Sequence, residues 1–323
     1  MRLLHSLLLA LLIPAGACAQ ESSEPRAPAV TPVAIGERVT LDSKVLGERR
    51  TLNVFVPPRV TGADPNARFI VVYILDGADS YLHAVSAVTS LVWEEDMPPA
   101  IVVSVNNTNR NRDFTPRAAN PSTVPRGTSS GGANAFLDFL EREAIPYVDA
   151  HYSTMPYRVL VGHSLGGLLA IHALSERPAL FSGYIALDPS MWWDDGAPVR
   201  RLFTRLQRSD APIPRLIVVE GASNQLRPFW PRVKAAAGTR GIAEFVDVPN
   251  ESHTGIQFMG RYRALRLLFA EYVPRYRTDA TQATRASLDA QYRALSERWG
   301  FTVPVPAFAL AAVARREAAA RQR

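Results

Sequence analysis

The residues best suited to chemistry are Gly162-His163-Ser164-Leu165-Gly166-Gly167. They follow the apolar run Tyr157-Arg158-Val159-Leu160-Val161 and precede Leu168-Leu169-Ala170-Ile171-His172-Ala173-Leu174. This is a strand, a G-x-S-x-G turn and a helix, the setting in which a serine hydroxyl stands clear of a sheet. A serine hydroxyl is a weak nucleophile at neutral pH and needs a base beside it, most often histidine. The chain has six histidines. His5, His83 and His151 precede the turn, and His163 is its variable residue. His172 lies eight residues along the same helix, roughly 12 Å away at 1.5 Å per residue. His253, in Pro249-Asn250-Glu251-Ser252-His253-Thr254-Gly255, is the remaining base.

A third group should fix the imidazole tautomer and stabilise the imidazolium. Three carboxylates compete. Glu220 ends the apolar run 216–219 and is the first choice. Glu251 lies two residues before His253, and Asp188 follows the run 184–187. Two backbone amides should face the oxyanion. Leu165 supplies one at the start of the helix, and Ala78 in Asp76-Gly77-Ala78-Asp79 supplies the other. Asp76, Asp79 and His83 have metal-ligand chemistry, but nothing else supports a metal. No cofactor is expected.

The elements that must position these groups alternate along the chain. Segments 37–43 and 50–56 alternate apolar with polar, as half-buried strands do, and Gly47-Glu48 between them reads as a hairpin turn. Continuous apolar runs at 69–75, 100–105, 158–161, 184–187 and 216–219 read as strands buried on both faces, with a weaker one at 244–248. Helical patterns fall at 80–92, 133–150, 166–175, 197–206, 229–237 and 258–272. The alternation predicts an α/β fold of the α/β-hydrolase type, a mostly parallel central sheet flanked by helices. Helices at 284–299 and from 307 towards 321 form a short C-terminal helical extension.

The chain of 323 residues is 47% hydrophobic, enough for a sizeable core. Its net charge is +6, and Lys44 and Lys234 are its only lysines. No basic cluster is interleaved with aromatics, so nucleic acid is not an expected partner. The excess charge favours anionic ligands at long range. Residues 1–19 read as a signal peptide, with Arg2, the apolar run 3–13 and Ala17-Cys18-Ala19 as the cleavage site before Gln20. The run is too short to span a bilayer as a mature helix. This predicts an exported, periplasmic protein. The alternative is a membrane-anchored lipoprotein with a lipid anchor at Cys18, the sole cysteine. The expected organisation is a signal at 1–19, a linker at 20–35, a catalytic domain at 36–275 and an extension at 276–323.

Several ordered motifs carry a family resemblance: Leu75-Asp76-Gly77, the stretch from Val105 to Pro116, the Gly162–Gly167 turn, Asp188-Pro189-Ser190-Met191-Trp192-Trp193-Asp194-Asp195, and Pro249 to Gly255. Together they resemble the putative-esterase branch of the α/β hydrolases, which includes siderophore esterases. The resemblance implies a serine carboxylesterase acting on a small-molecule ester substrate, with Ser164 and His253 at its centre. The family commonly has Gly-Asn-Glu-Gly where this chain reads Glu220-Gly221-Ala222-Ser223-Asn224, which implies either Glu220 acting from a shifted position or a Ser–His dyad helped by Glu251. Trp192 and Trp193 are expected either to stack on an aromatic acyl group or to form a hydrophobic lid or core plug. Arg110 is expected either to receive an anionic group or to hold its loop, as Arg112 could with Asp113. A catalytically inactive ligand-binding protein and an acyltransferase are the alternatives in function.

Overall fold

The computed structural model describes residues 30–58, 67–208, 213–221, 225–238 and 243–322. The expected signal peptide and Cys18 lie outside the described residues. The described residues fall into a short segment, 30–34, and one compact unit from residue 35 onward. Residues 30–34 are exposed and have no regular structure.

In the compact unit, eight strands form one sheet: β1 Glu37–Ser43, β2 Glu48–Phe55, β3 Phe69–Ile74, β4 Ala100–Val105, β5 Thr154–His163, β6 Gly183–Leu187, β7 Arg215–Glu220 and β8 Ala243–Asp247. Their spatial order is β1-β2-β4-β3-β5-β6-β7-β8. The β1–β2 and β2–β4 pairs are antiparallel, and all later pairs are parallel. Edge strand β1 alternates exposed and partly covered residues, whereas β4 and β6 are buried throughout. That contrast is what alternating and continuous apolar runs require.

The helices are α1 Gly77–Trp93, α2 Arg110–Phe114, α3 Ala133–Phe139, α4 Ile145–His151, α5 Leu165–Glu176, α6 Trp193–Arg208, α7 Trp230–Ala237, α8 Ile256–Leu268, α9 Arg285–Trp299 and α10 Ala307–Arg321. Side chains of alternate parity feed two cores. Val71 and Tyr73 join Phe136, Leu140, Leu169 and Leu202 on one face. Ile70, Val72 and Ile74 join residues of α1, α8, α9 and α10 on the other. The C-terminal helices share this second core: Leu288, Tyr292 and Leu295 are buried, and the Tyr292 hydroxyl donates to the Tyr272 carbonyl at 2.6 Å.

Two local departures from the sequence pattern have physical causes. The single helix expected at 133–150 contains a wide π turn at Leu140–Ala144. Pro146 follows it and has no amide to donate, so the regular ladder is interrupted there. Helix α2 was not expected in the Asn-rich stretch. The Asn109 side chain caps it by accepting from the Arg112 amide. Arg50, fully buried in β2, then anchors it through Asp113 at 2.7 Å. The same guanidinium lies 5.1 Å over the Phe136 ring.

Candidate active site

The end of β5 delivers Ser164 into a sharp turn, with φ 58° and ψ −116°. This conformation is strained for a residue bearing a Cβ, and such strain persists only where neighbours enforce it. The Ser164 amide donates to the Leu187 carbonyl at 2.9 Å, and its carbonyl accepts from the Ser190 amide at 3.0 Å. A Cβ on Gly162 would lie 2.1 Å from the Gly166 carbonyl oxygen, so only glycine lets strand and helix meet this closely. Ser164 is half-buried, and its hydroxyl lies 3.3 Å from that of Ser190.

His253 arrives on the turn between β8 and α8, with its side chain half exposed. Its ring centroid is 4.5 Å from that of His163, the neighbour of Ser164. Its Nδ1 lies 3.1 Å from Asp188 Oδ2. Asp188 is fully buried, has φ 41° and accepts a second hydrogen bond from the Gly221 amide at 2.8 Å. A buried carboxylate on Nδ1 makes that nitrogen the N–H donor and leaves Nε2 as the acceptor.

Here the structure corrects the first choice of acid. Glu220 is buried but turns to its own loop, accepting from the amides of Leu226 at 2.6 Å and Arg227 at 2.9 Å. Burial, with Asp188 nearby, pushes its carboxyl above the usual carboxylate range. The Glu251 carboxylate folds back over Gly255 in its own turn. The imidazole is therefore paired one strand earlier than the sequence position of Glu220 suggested.

The first turns of α5 and α1 meet: a Cβ on Gly166 would sit 3.4 Å from both Asp76 Oδ2 and Leu75 Cβ. Helix α1 starts from Asp76 in the left-handed region, and the amides of Asp79 and Ser80 return to the Asp76 carbonyl. That leaves the Gly77 and Ala78 amides at the open helix end, with Ala78 exposed. Leu165 opens α5 in the same way. Arg110, expected either at a ligand or as the holder of its loop, holds this junction. Its Nε donates to Asp76 Oδ1 at 2.6 Å, and its Nη2 donates to Asp76 Oδ2 at 3.0 Å and to the His163 carbonyl at 3.2 Å. Asp76 is thus an ion-pair partner rather than part of a metal cluster. No group of three or more candidate metal ligands occurs among the described residues.

A hydroxyl in a strained elbow, a carboxylate-bound imidazole packed against the residue before it and two helix amide ends are the group types that nucleophilic acyl transfer uses. Comparisons with known proteins agree. A family model described as "Putative esterase" matches residues 43–228. The chain belongs to this esterase family. It is 32% identical to the siderophore triacetylfusarinine C esterase of Aspergillus fumigatus over 174 residues, covering 50% of this chain and 58% of that protein. It is 27% identical to the ferri-bacillibactin esterase BesA of Bacillus subtilis over 247 residues, covering 68% of this chain and 85% of that protein. Among solved structures, an IroE-like serine hydrolase from Shewanella oneidensis superposes with a TM-score of 0.77 at 28% identity, covering 88% of this chain and 94% of that one.

In this esterase the tryptophan pair divides. Trp193 is buried, and its indole N–H donates to the Pro116 carbonyl at 3.1 Å, so it is a core anchor and cannot stack on a ligand. The left-handed residues Asp194, Asp195 and Gly196 then turn the chain, and Asp194 accepts from the amides of Ala119 and Asn120. Trp192 is 49% exposed and edges a cleft of about 420 Å³ with Phe203, Phe229, Arg200, Arg232 and Gln225. Arg232 lies 4.8 Å over the Phe203 ring. Sequence reasoning missed Phe203, Phe229 and Arg232, because Phe203 comes from α6 and the other two from the start of the distant 229–237 segment.

Proposed function

We propose that the chain is an exported serine hydrolase that cleaves carboxylic esters of siderophore type through an acyl-enzyme intermediate. The observation that carries this reading is the Asp188–His253 pair beside the Ser164 elbow. Ser164 Oγ attacks the ester carbonyl while His253 Nε2 takes its proton. The Leu165 and Ala78 amides receive the oxyanion. The tetrahedral adduct collapses, the C–O bond breaks, and His253 returns the proton to the leaving alcohol. Water then repeats the sequence on the acyl-serine and frees the acid. Asp188 holds the Nδ1–H tautomer throughout and stabilises the imidazolium.

The relatives named for triacetylfusarinine C and ferri-bacillibactin support siderophore-type esters as the substrate class. The aromatic cleft and its Arg232 suit a planar, anionic part of such a substrate. Export rests on the leader at residues 1–19, with lipid attachment at Cys18 as the alternative.

A substrate panel tests the reading: p-nitrophenyl acetate, a feruloyl ester, triacetylfusarinine C and an enterobactin-type trilactone. Siderophore-type esters should give the highest kcat/KM, and no hydrolysis of any ester would contradict the proposal. Trp192→Ala and Arg232→Gln should each raise KM for an anionic aromatic ester about tenfold, roughly 1.4 kcal/mol, and leave p-nitrophenyl acetate unchanged. Equal effects on both substrates would remove the cleft from substrate recognition.

A further inference from the structure

The elbow contains a second imidazole, which the mechanism above does not use. His163 ends β5, is paired in register with Leu187 and is 8% exposed. Its Nε2 lies 2.6 Å from the His253 backbone carbonyl. A carbonyl can only accept, so Nε2 carries the proton and donates. Burial, with His253 second, lowers the His163 pKa to about 4, so the ring is neutral at physiological pH and holds this single N–H tautomer.

The turn carrying His253 packs its Glu251 carbonyl against Gly221, and apart from the bonds at His253 its hydrogen bonds among the described residues are local. Within it, the Ile256 amide donates to the Ser252 carbonyl and the Gly255 amide to the Ser252 hydroxyl, and both bonds are local. Among the described residues, two hydrogen bonds hold His253 from outside the turn. Asp188 at the end of β6 holds the ring, and His163 at the end of β5 holds the backbone. The ring contact sets the tautomer and the tilt of the imidazole. The backbone contact sets where the Cα stands above the elbow, and so how far Nε2 is from Ser164.

We propose that His163 is the positioning residue that sets His253 over Ser164, through its Nε2–H bond to the His253 carbonyl. The hold extends inward. Arg110 donates to the His163 carbonyl and forms its ion pair with Asp76, whose turn starts α1. One chain of contacts thus links the Ala78 amide, the elbow and the base. A neutral donor suits this place, because His253 becomes cationic during turnover and a charged neighbour at 4.5 Å between ring centroids would oppose it. Small displacements of a base can cost on the order of 10²-fold in rate. The proposal rests on the catalytic assignment of Ser164 and His253.

The test compares His163→Phe, which keeps a ring without a donor, with His163→Gln, whose Nε2–H₂ can reach the same carbonyl. The readouts are kcat and KM on p-nitrophenyl acetate and the rate of Ser164 labelling by a fluorophosphonate. His163→Phe should lower kcat and the labelling rate at least ~30-fold with KM within threefold, and His163→Gln should restore both to within fivefold of wild type. If the Phe variant fails to fold, His163→Met replaces it in the comparison with Gln. The proposal is overturned if the donor-less variant keeps kcat within threefold of wild type, or if Gln is as slow as Phe. Ser164→Ala and His253→Ala are run alongside. Full activity in those two would sink the catalytic assignment itself, whereas their loss with an active His163→Phe would sink the positioning role alone.

Discussion

Ser164→Ala is expected to lower turnover of p-nitrophenyl acetate by at least ~10³-fold, a loss of about 4 kcal/mol of transition-state stabilisation, with the fold intact. The strain at φ 58° belongs to the Cβ, which alanine retains, so the elbow geometry has no cause to relax. The substitution removes one oxygen, which lies 3.3 Å from the Ser190 hydroxyl. The Ser164 amide and carbonyl keep their bonds to Leu187 and Ser190. Thermal unfolding should therefore shift by a few degrees at most, while acyl transfer loses its acceptor atom. Activity within tenfold of wild type would place the nucleophile elsewhere.

The second large effect separates two buried carboxylates. Asp188→Asn should reduce kcat on the order of 10²–10⁴-fold near neutral pH. Its carbonyl can still accept from the Gly221 amide, so the turn is kept. Its NH₂ then faces His253 Nδ1 and favours the tautomer whose Nε2 already bears a proton. Such an imidazole cannot take the proton of Ser164. Glu220→Gln should behave in the opposite way. It leaves kcat within tenfold, but one of the amides of Leu226 and Arg227 loses its acceptor, at a cost of about 1–3 kcal/mol in stability. Paired kcat and denaturant-unfolding measurements on both variants check this. A catalytic loss confined to Glu220→Gln would return the acid to β7.

The sheet was legible because buried parallel strands leave continuous apolar runs, as in Ala100–Val105, and edge strands leave alternation, as in Glu37–Ser43. The serine was legible because the elbow is local, with strand, turn and helix lying within some twenty residues. The histidine could be reached by elimination. The acid could not, because Glu220 and Asp188 both end strands, and the choice depends on where the distant 249–255 turn comes down. The left-handed backbone at Asp188, which aims its carboxylate, has no signature in an Asp-Pro-Ser tripeptide. The division of the tryptophan pair was hidden for a similar reason. Which ring turns inward depends on three successive left-handed residues after it, held by Asp194 against the 119–120 amides. Arg110 sits in a segment with no hydrophobic period, and its ion pair to Asp76 spans 34 residues. His163 was passed over as the variable position of the motif, although its place beside the nucleophile was itself a signal.

The inactive-scaffold alternative drew on the absent family glutamate. A carboxylate bonded to His253 from another strand removes that reason. The direct test is to react the full protein with a fluorophosphonate, digest it and locate the adduct by mass spectrometry. The expected result is one adduct per chain, on the peptide carrying Ser164, formed much more slowly in His253→Ala. An adduct on another residue, or no adduct in a protein that hydrolyses esters, would contradict Ser164 as the nucleophile.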